Sequence, residues 1–88
     1  MSEAEDWGTA TWRYWQEVLN RLPARDLPDR PAVSVRARIV WARDGVEWVG
    51  GKARRLDPGV AIYVDLRDRR CNTLGVWLSP DDVWWPGK

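Results

Sequence analysis

The chain has 88 residues, 44% of them hydrophobic and 31% charged, which supports one small globular core and leaves no room for a second. Fourteen basic residues against thirteen acidic give a net charge of +1, so the chain as a whole is no polyanion trap. The absence of histidine removes His-assisted catalysis and His-ligated zinc, and a single cysteine, Cys71, excludes an internal disulfide or a Cys-rich metal site.

Residues 1–8 are acidic and polar and read as a disordered tip, without the basic start and apolar centre of a signal peptide. From Thr9 or Thr11, either able to N-cap, the spacing predicts an amphipathic α-helix over 9–22, ending before Pro23. Trp12, Trp15, Leu19 and Leu22 recur at three and four residues, with Val18 beside them, and Asn20 and Arg21 fall on the opposite side. A helix this short is marginal alone, so its apolar face either packs on the domain or docks a partner; Trp12, Trp15 and Leu19 are the candidate contacts for a homodimer. Residues 23–31 hold Pro23, Pro28 and Pro31 and read as a stiff extended linker.

The period then changes. Val33, Val35, Ala37, Ile39 and Trp41 alternate with Ser34, Arg36, Arg38 and Val40, the pattern of a strand with one buried face. Asp44-Gly45 supplies a tight hairpin turn, and Gly50-Gly51 reads as a bulge in the second strand. Asp57-Pro58-Gly59 marks the next turn. A third strand covers residues 60–66, a fourth lies around 72–78, and a single helical turn at 79–82 precedes a last strand at 83–85. Five short strands within residues 32–88 predict a mainly β domain in the form of a small closed barrel, since closure removes exposed edges. Eight tryptophans and no phenylalanine give its thin core large side chains.

The run from Ile39 to Trp48, with Trp41, Asp44-Gly45 and Trp48, followed by Leu56-Asp57 and the stretch from Ala61 to Asp68, resembles a Tudor domain, one of the SH3-like barrels. The resemblance covers residues 33–85 and leaves the helix and linker outside it. It implies a five-stranded SH3-like (Tudor-like) barrel with an aromatic cage for a cationic side chain. Trp41, Trp48 and Tyr63 are placed on three walls, Leu66 stands at the fourth aromatic position, and Asp68 follows as the polar residue. Ring faces attract a cation by about 0.5–2 kcal/mol per good contact. The competing reading uses the same residues structurally: Trp41 continues the inward parity of Val35 and Ile39 and plugs the barrel, with Trp48 packed across the hairpin.

Between residues 32 and 78 there are nine basic residues against five acidic. Arg36, Arg38, Arg54, Arg55, Arg67, Arg69 and Arg70 are the candidates for nucleic-acid contact, with a base stacked on a neighbouring aromatic. The alternative is a solvated face in which Asp57, Asp65 and Asp68 pair with them locally. Asp65/Asp68 and Asp81/Asp82 lack a nucleophile–base pairing and sit among turn residues, so no catalytic role is expected, and neither is a metal or other cofactor. No apolar run reaches the roughly 20 residues of a membrane span. The expectation is a cytoplasmic, non-catalytic binding or adaptor module that recognises a protein or peptide at the aromatic rim. Nucleic-acid binding and homo-oligomerisation are the alternatives. Twelve arginines to two lysines suggest a GC-rich, bacterial coding sequence.

Overall fold

A computed structural model describes residues 14–86. The turn chemistry sets where strands stop. Gly45 and Gly59 adopt φ of +79° and +74°, a region open to glycine at little steric cost, and the Val60 N–H closes the second turn on the Asp57 carbonyl at 2.9 Å. The strands between these breaks are β1 (Val33–Trp41), β2 (Gly45–Asp57), β3 (Ala61–Leu66), β4 (Gly75–Leu78) and β5 (Val83–Trp84). A 3-10 turn at Pro80–Asp82 precedes β5, and its start is capped by Ser79, whose Oγ accepts from the Asp81 N–H at 3.2 Å.

The five strands form one antiparallel sheet in the order β4-β3-β2-β1-β5. Residues directly opposite share a face, and the register therefore sorts the side chains. Ala37 faces Val49 and Val35 faces Gly51; Ala53 then faces Val64, which faces Val76, and Ile62 faces Leu78. This inner face is the core, and Ala37, Ile39, Val64 and Leu78 are fully buried in it. Burial of each Val, Ile or Leu contributes roughly 1.5–3 kcal/mol. Gly51 is needed where strands crowd: a Cβ there would lie 2.6 Å from a Val64 methyl and 2.7 Å from the Asp65 carbonyl oxygen. The irregularity expected at Gly50-Gly51 falls instead between Ala53 and Arg55, because Gly51 keeps regular pairing with both Val35 and Leu66.

Two expectations about fold class are corrected. The domain is mainly β, but its sheet is open: β4 and β5 are its two edges and are not paired with each other. The closed SH3-like (Tudor-like) barrel is therefore not what forms. Nor is there an α-helix among the described residues. Trp12 and the proposed caps Thr9 and Thr11 lie outside those residues, as does the acidic tip. Over 15–22 the chain is a strap with two single-residue bridges, Val18 to Trp41 and Leu22 to Trp77. Its amide groups serve distant segments: Gln16 N–H donates to the Arg70 carbonyl, Leu19 N–H to Val40 and Leu22 N–H to Trp77, each at 2.8 Å, and the Glu17 carbonyl accepts from Ala42 N–H at 2.9 Å. A helix would need those groups for its own ladder, and a short isolated one cannot compete with pairing that also buries Val18 in the core. Trp15 and Leu19 are 45% and 58% exposed, and over 15–22 they do not share the face of a helix.

Asn20, expected on the solvent side of that helix, is instead a surrogate strand residue. β5 pairs with β1 only at Arg36 and Ala37. Beyond it, Asn20 Nδ2 donates to the Arg38 carbonyl at 2.8 Å and to Asp82 Oδ2 at 3.0 Å, while Asn20 Oδ1 accepts from Val40 N–H at 3.0 Å. The strap continues over 23–31 without helix or strand and is tied to β2 at its far end, where Arg30 N–H donates to the Arg54 carbonyl at 2.7 Å. Among the described residues no helix is long and apolar enough to cross a membrane.

Asn20→Ala should cost about 1–3 kcal/mol, since it strips partners from part-buried backbone groups, whereas exposed Leu19→Ala should stay within about 0.5 kcal/mol. Urea unfolding followed by tryptophan fluorescence measures both, and the reverse order would indicate an amphipathic helix.

Candidate functional site

Asp44 follows the end of β1 and Glu47 stands on the first residues of β2, while Asp68 and Arg70 lie in the loop between β3 and β4. The β1–β2 hairpin and this loop meet over the ring of Trp41, which is fully buried and has the Arg70 guanidinium 4.3 Å from its centroid. Arg70 Nη2 donates to Asp68 Oδ2 at 2.7 Å and to Glu47 Oε1 at 2.9 Å. Its Nη1 donates to Asp44 Oδ2 at 2.9 Å and Glu47 Oε2 at 3.0 Å, and its Nε to Asp68 Oδ1 at 3.0 Å. These forked, charge-assisted bonds suit the planar guanidinium and would not be reproduced by a lysine. Hydrogen bonding from Arg70 holds the carboxyls of Asp68, Glu47 and Asp44 below their ordinary values, and the carboxylates in turn keep Arg70 protonated.

The cation-binding face of Trp41 is thus filled by the chain's own arginine. The other residues expected in the cage are dispersed. Leu66 points into the core, and Asp68 is held by Arg70. Trp48 lies opposite Arg38 on the outer face of the sheet. Tyr63 is also on the outer face but on the neighbouring β3, opposite Arg55 and so seven residues along β2 from Trp48; it lies 5.5 Å from Trp77 in a tilted contact, with the Arg55 guanidinium 5.1 Å above its own ring. Trp41, Trp48 and Tyr63 do not form one rim.

The arginine cluster is likewise divided. Arg38 pairs with Asp82 at 3.1 Å, Arg54 with Asp65 at 3.5 Å and Arg55 with Asp29 at 2.7 Å, while Arg69 stacks 4.0 Å over Tyr14. Exposed pairs like these add little stability, but they weaken the field a polyanion would meet. Arg36 is exposed, and its Nη2 donates to the Trp48 carbonyl at 3.1 Å; Arg67 is exposed as well.

What the structure does bring together is a patch on the outer face of β5–β1–β2. Arg36 lies between Gly50 on β2 and Trp84 on β5. Trp48 and Trp84 are 46% and 50% exposed, Val46 is exposed two residues from Trp48 on β2, and nothing lies within 4 Å of where a Gly50 Cβ would point. Lys52 stands on the same face, its Nζ donating to Ser34 Oγ. Sequence reasoning assigned Trp84 only to a last short strand. Its alternation with Val83 gave the buried–exposed signal, but its proximity to Arg36 depends on which strand β5 joins. Searches against protein-family models, curated proteins and solved structures find no match to this chain.

Replacing Arg70 by methionine should destabilise the protein by about 1 kcal/mol or more, the scale of a lost cation–π contact. The lowered carboxyl values, against ordinary ones of 3.8 for Asp and 4.5 for Glu, make their contribution complete above about pH 5 and lost as the pH falls through the folded-state values. Urea midpoints measured between pH 7 and pH 3 should fall more steeply for the wild type than for Arg70→Met; parallel curves would show that the clamp is not coupled to folding.

Proposed function

We propose that the chain is a non-catalytic binding module that docks a protein or peptide partner on the bare face of β5–β1–β2. The observation that supports this most is the half-exposure of Trp48 and Trp84 on the two strands flanking Arg36, on one sheet face. Apolar area left in water costs about 25 cal/mol per Å², and a partner that covers both indoles and Val46 recovers it. Tryptophan and arginine are the residues that most often dominate such contacts. Pairing of β1 on both sides holds the two anchors in place before binding, which reduces the ordering cost. Asp82 and Asp65 neutralise Arg38 and Arg54 nearby, so the face is amphipathic more than polycationic.

A second reading rests on Arg36 and Lys52, which have no carboxylate within ion-pair distance among the described residues. Beside exposed indoles they suit single-stranded nucleic acid, with phosphates on the cations and bases on the rings.

Affinity capture after nuclease treatment should recover one protein with the wild type and with Arg67→Glu, and lose it by about tenfold or more in Trp48→Ala and Trp84→Ala. Undiminished capture by both tryptophan variants, shown to be folded, would overturn the assignment of this face. A thymidine strand of about 12 nucleotides tests the second reading: salt-sensitive shifts of the Trp48 and Trp84 indole signals support it, and unmoved signals at low salt remove it.

A further inference from the structure

The strap leaves a cavity of about 630 Å³ on the other half of the molecule, between residues 15–25 and the outer side of β3 and β4. That volume lies within the roughly 300–1,000 Å³ range of small-molecule sites. Three aromatic side chains line it, Trp15, Tyr63 and Trp77, with three guanidinium groups, Arg21, Arg25 and Arg55; Glu17 is the one carboxylate in the lining, and Asp57 and Asp29 stand behind Arg25 and Arg55. Two of the arginines are fixed. Arg25 lies 5.7 Å over the Trp77 ring and Arg55 5.1 Å over Tyr63, and those rings adjoin at 5.5 Å. Each is anchored to a carboxylate through Nε, Arg25 to Asp57 at 3.3 Å and Arg55 to Asp29 at 2.7 Å. One terminal nitrogen of Arg25 donates to the Pro23 carbonyl; its other terminal nitrogen and both of Arg55's make no hydrogen bond among the described residues. Burial raises the Tyr63 hydroxyl above its ordinary value, so it stays a neutral donor.

We infer that this cavity binds a small planar ring carrying one anionic group, a carboxylate or a phosphate, with the anion on the Arg21, Arg25 and Arg55 guanidiniums and the ring against the half-exposed Trp15, next to the buried Trp77. Positioned guanidiniums on aromatic faces suit forked recognition of either anion. The Leu22–Trp77 bridge seats the strap that forms one wall of the cavity against β4.

Titration of isotope-labelled protein with indole-3-acetate and with adenosine 5′-monophosphate tests this. Saturable shifts of the Trp77 and Trp15 indole signals are expected, with Trp48 and Trp84 unmoved. The neutral analogues indole-3-acetamide and adenosine should bind about tenfold more weakly or worse. Arg21→Glu, an exposed change that touches neither stacked arginine, should weaken the anions and leave the neutral analogues unchanged. Comparison of the two anions shows whether carboxylate or phosphate is preferred. Equal binding of anion and neutral analogue, or no Trp77 shift with either anion at about 10 mM, a dissociation constant too weak to indicate a built site, overturns the assignment.

Discussion

The contact between the Arg70 guanidinium and the Trp41 ring, closed by Asp44, Glu47 and Asp68, is the constraint on which the rest of the arrangement depends. Trp41 ends β1 and is fully buried, yet the loop that covers it is rich in charge. An arginine resolves the conflict because its face packs on the indole while its edge meets carboxylates from two different segments. The same loop receives the strap, since the Arg70 carbonyl accepts from Gln16 N–H, and Gln16 Oε1 accepts from the N–H groups of Arg43 and Asp44 at 3.0 Å. Hairpin, loop and strap are therefore joined around one cation.

An open sheet carries exposed edges, and here the edges are managed locally. The strap bridges β4 at Leu22, and it satisfies β1 beyond the short β5 through Asn20 and the Leu19 and Glu17 backbone groups. Because the strap then crosses β4 toward β2, it divides the outer side of the sheet into two halves with different chemistry. One half is roofed and lined by arginine–aromatic stacks; the other is bare and presents Trp48, Arg36 and Trp84. The two halves of the outer side thus differ in form as well as chemistry, a partly covered cavity on one and a bare sheet face on the other.

Much of the sheet was legible in the chain. Strict alternation from Val33 to Trp41 marked β1 and its inward side, and Asp44-Gly45 and Asp57-Pro58-Gly59 placed the turns, because positive φ is a local demand that glycine meets. The same local logic misread residues 15–22. Trp15, Val18, Leu19 and Leu22 fit a helical stripe, but of these Val18 alone is buried, and the Leu19 and Leu22 N–H groups donate to Val40 and Trp77, 21 and 55 residues away. The expected cage failed for a related reason. Trp41, Trp48 and Tyr63 have the right chemistry, but strand parity puts Trp41 inside and the other two outside, and an arginine from the chain itself fills the remaining face.

The sequence by itself determined what depends on neighbouring residues: the alternation of buried and exposed side chains, the turn positions and the mainly β character. Tertiary structure alone decided which distant groups met. Arg70 found Glu47, Asn20 found Arg38 and Val40, and Trp84 found Arg36 only once strand order and register were set. Those pairings are long-range, and whether a given arginine binds a partner or a carboxylate of its own chain depends on them.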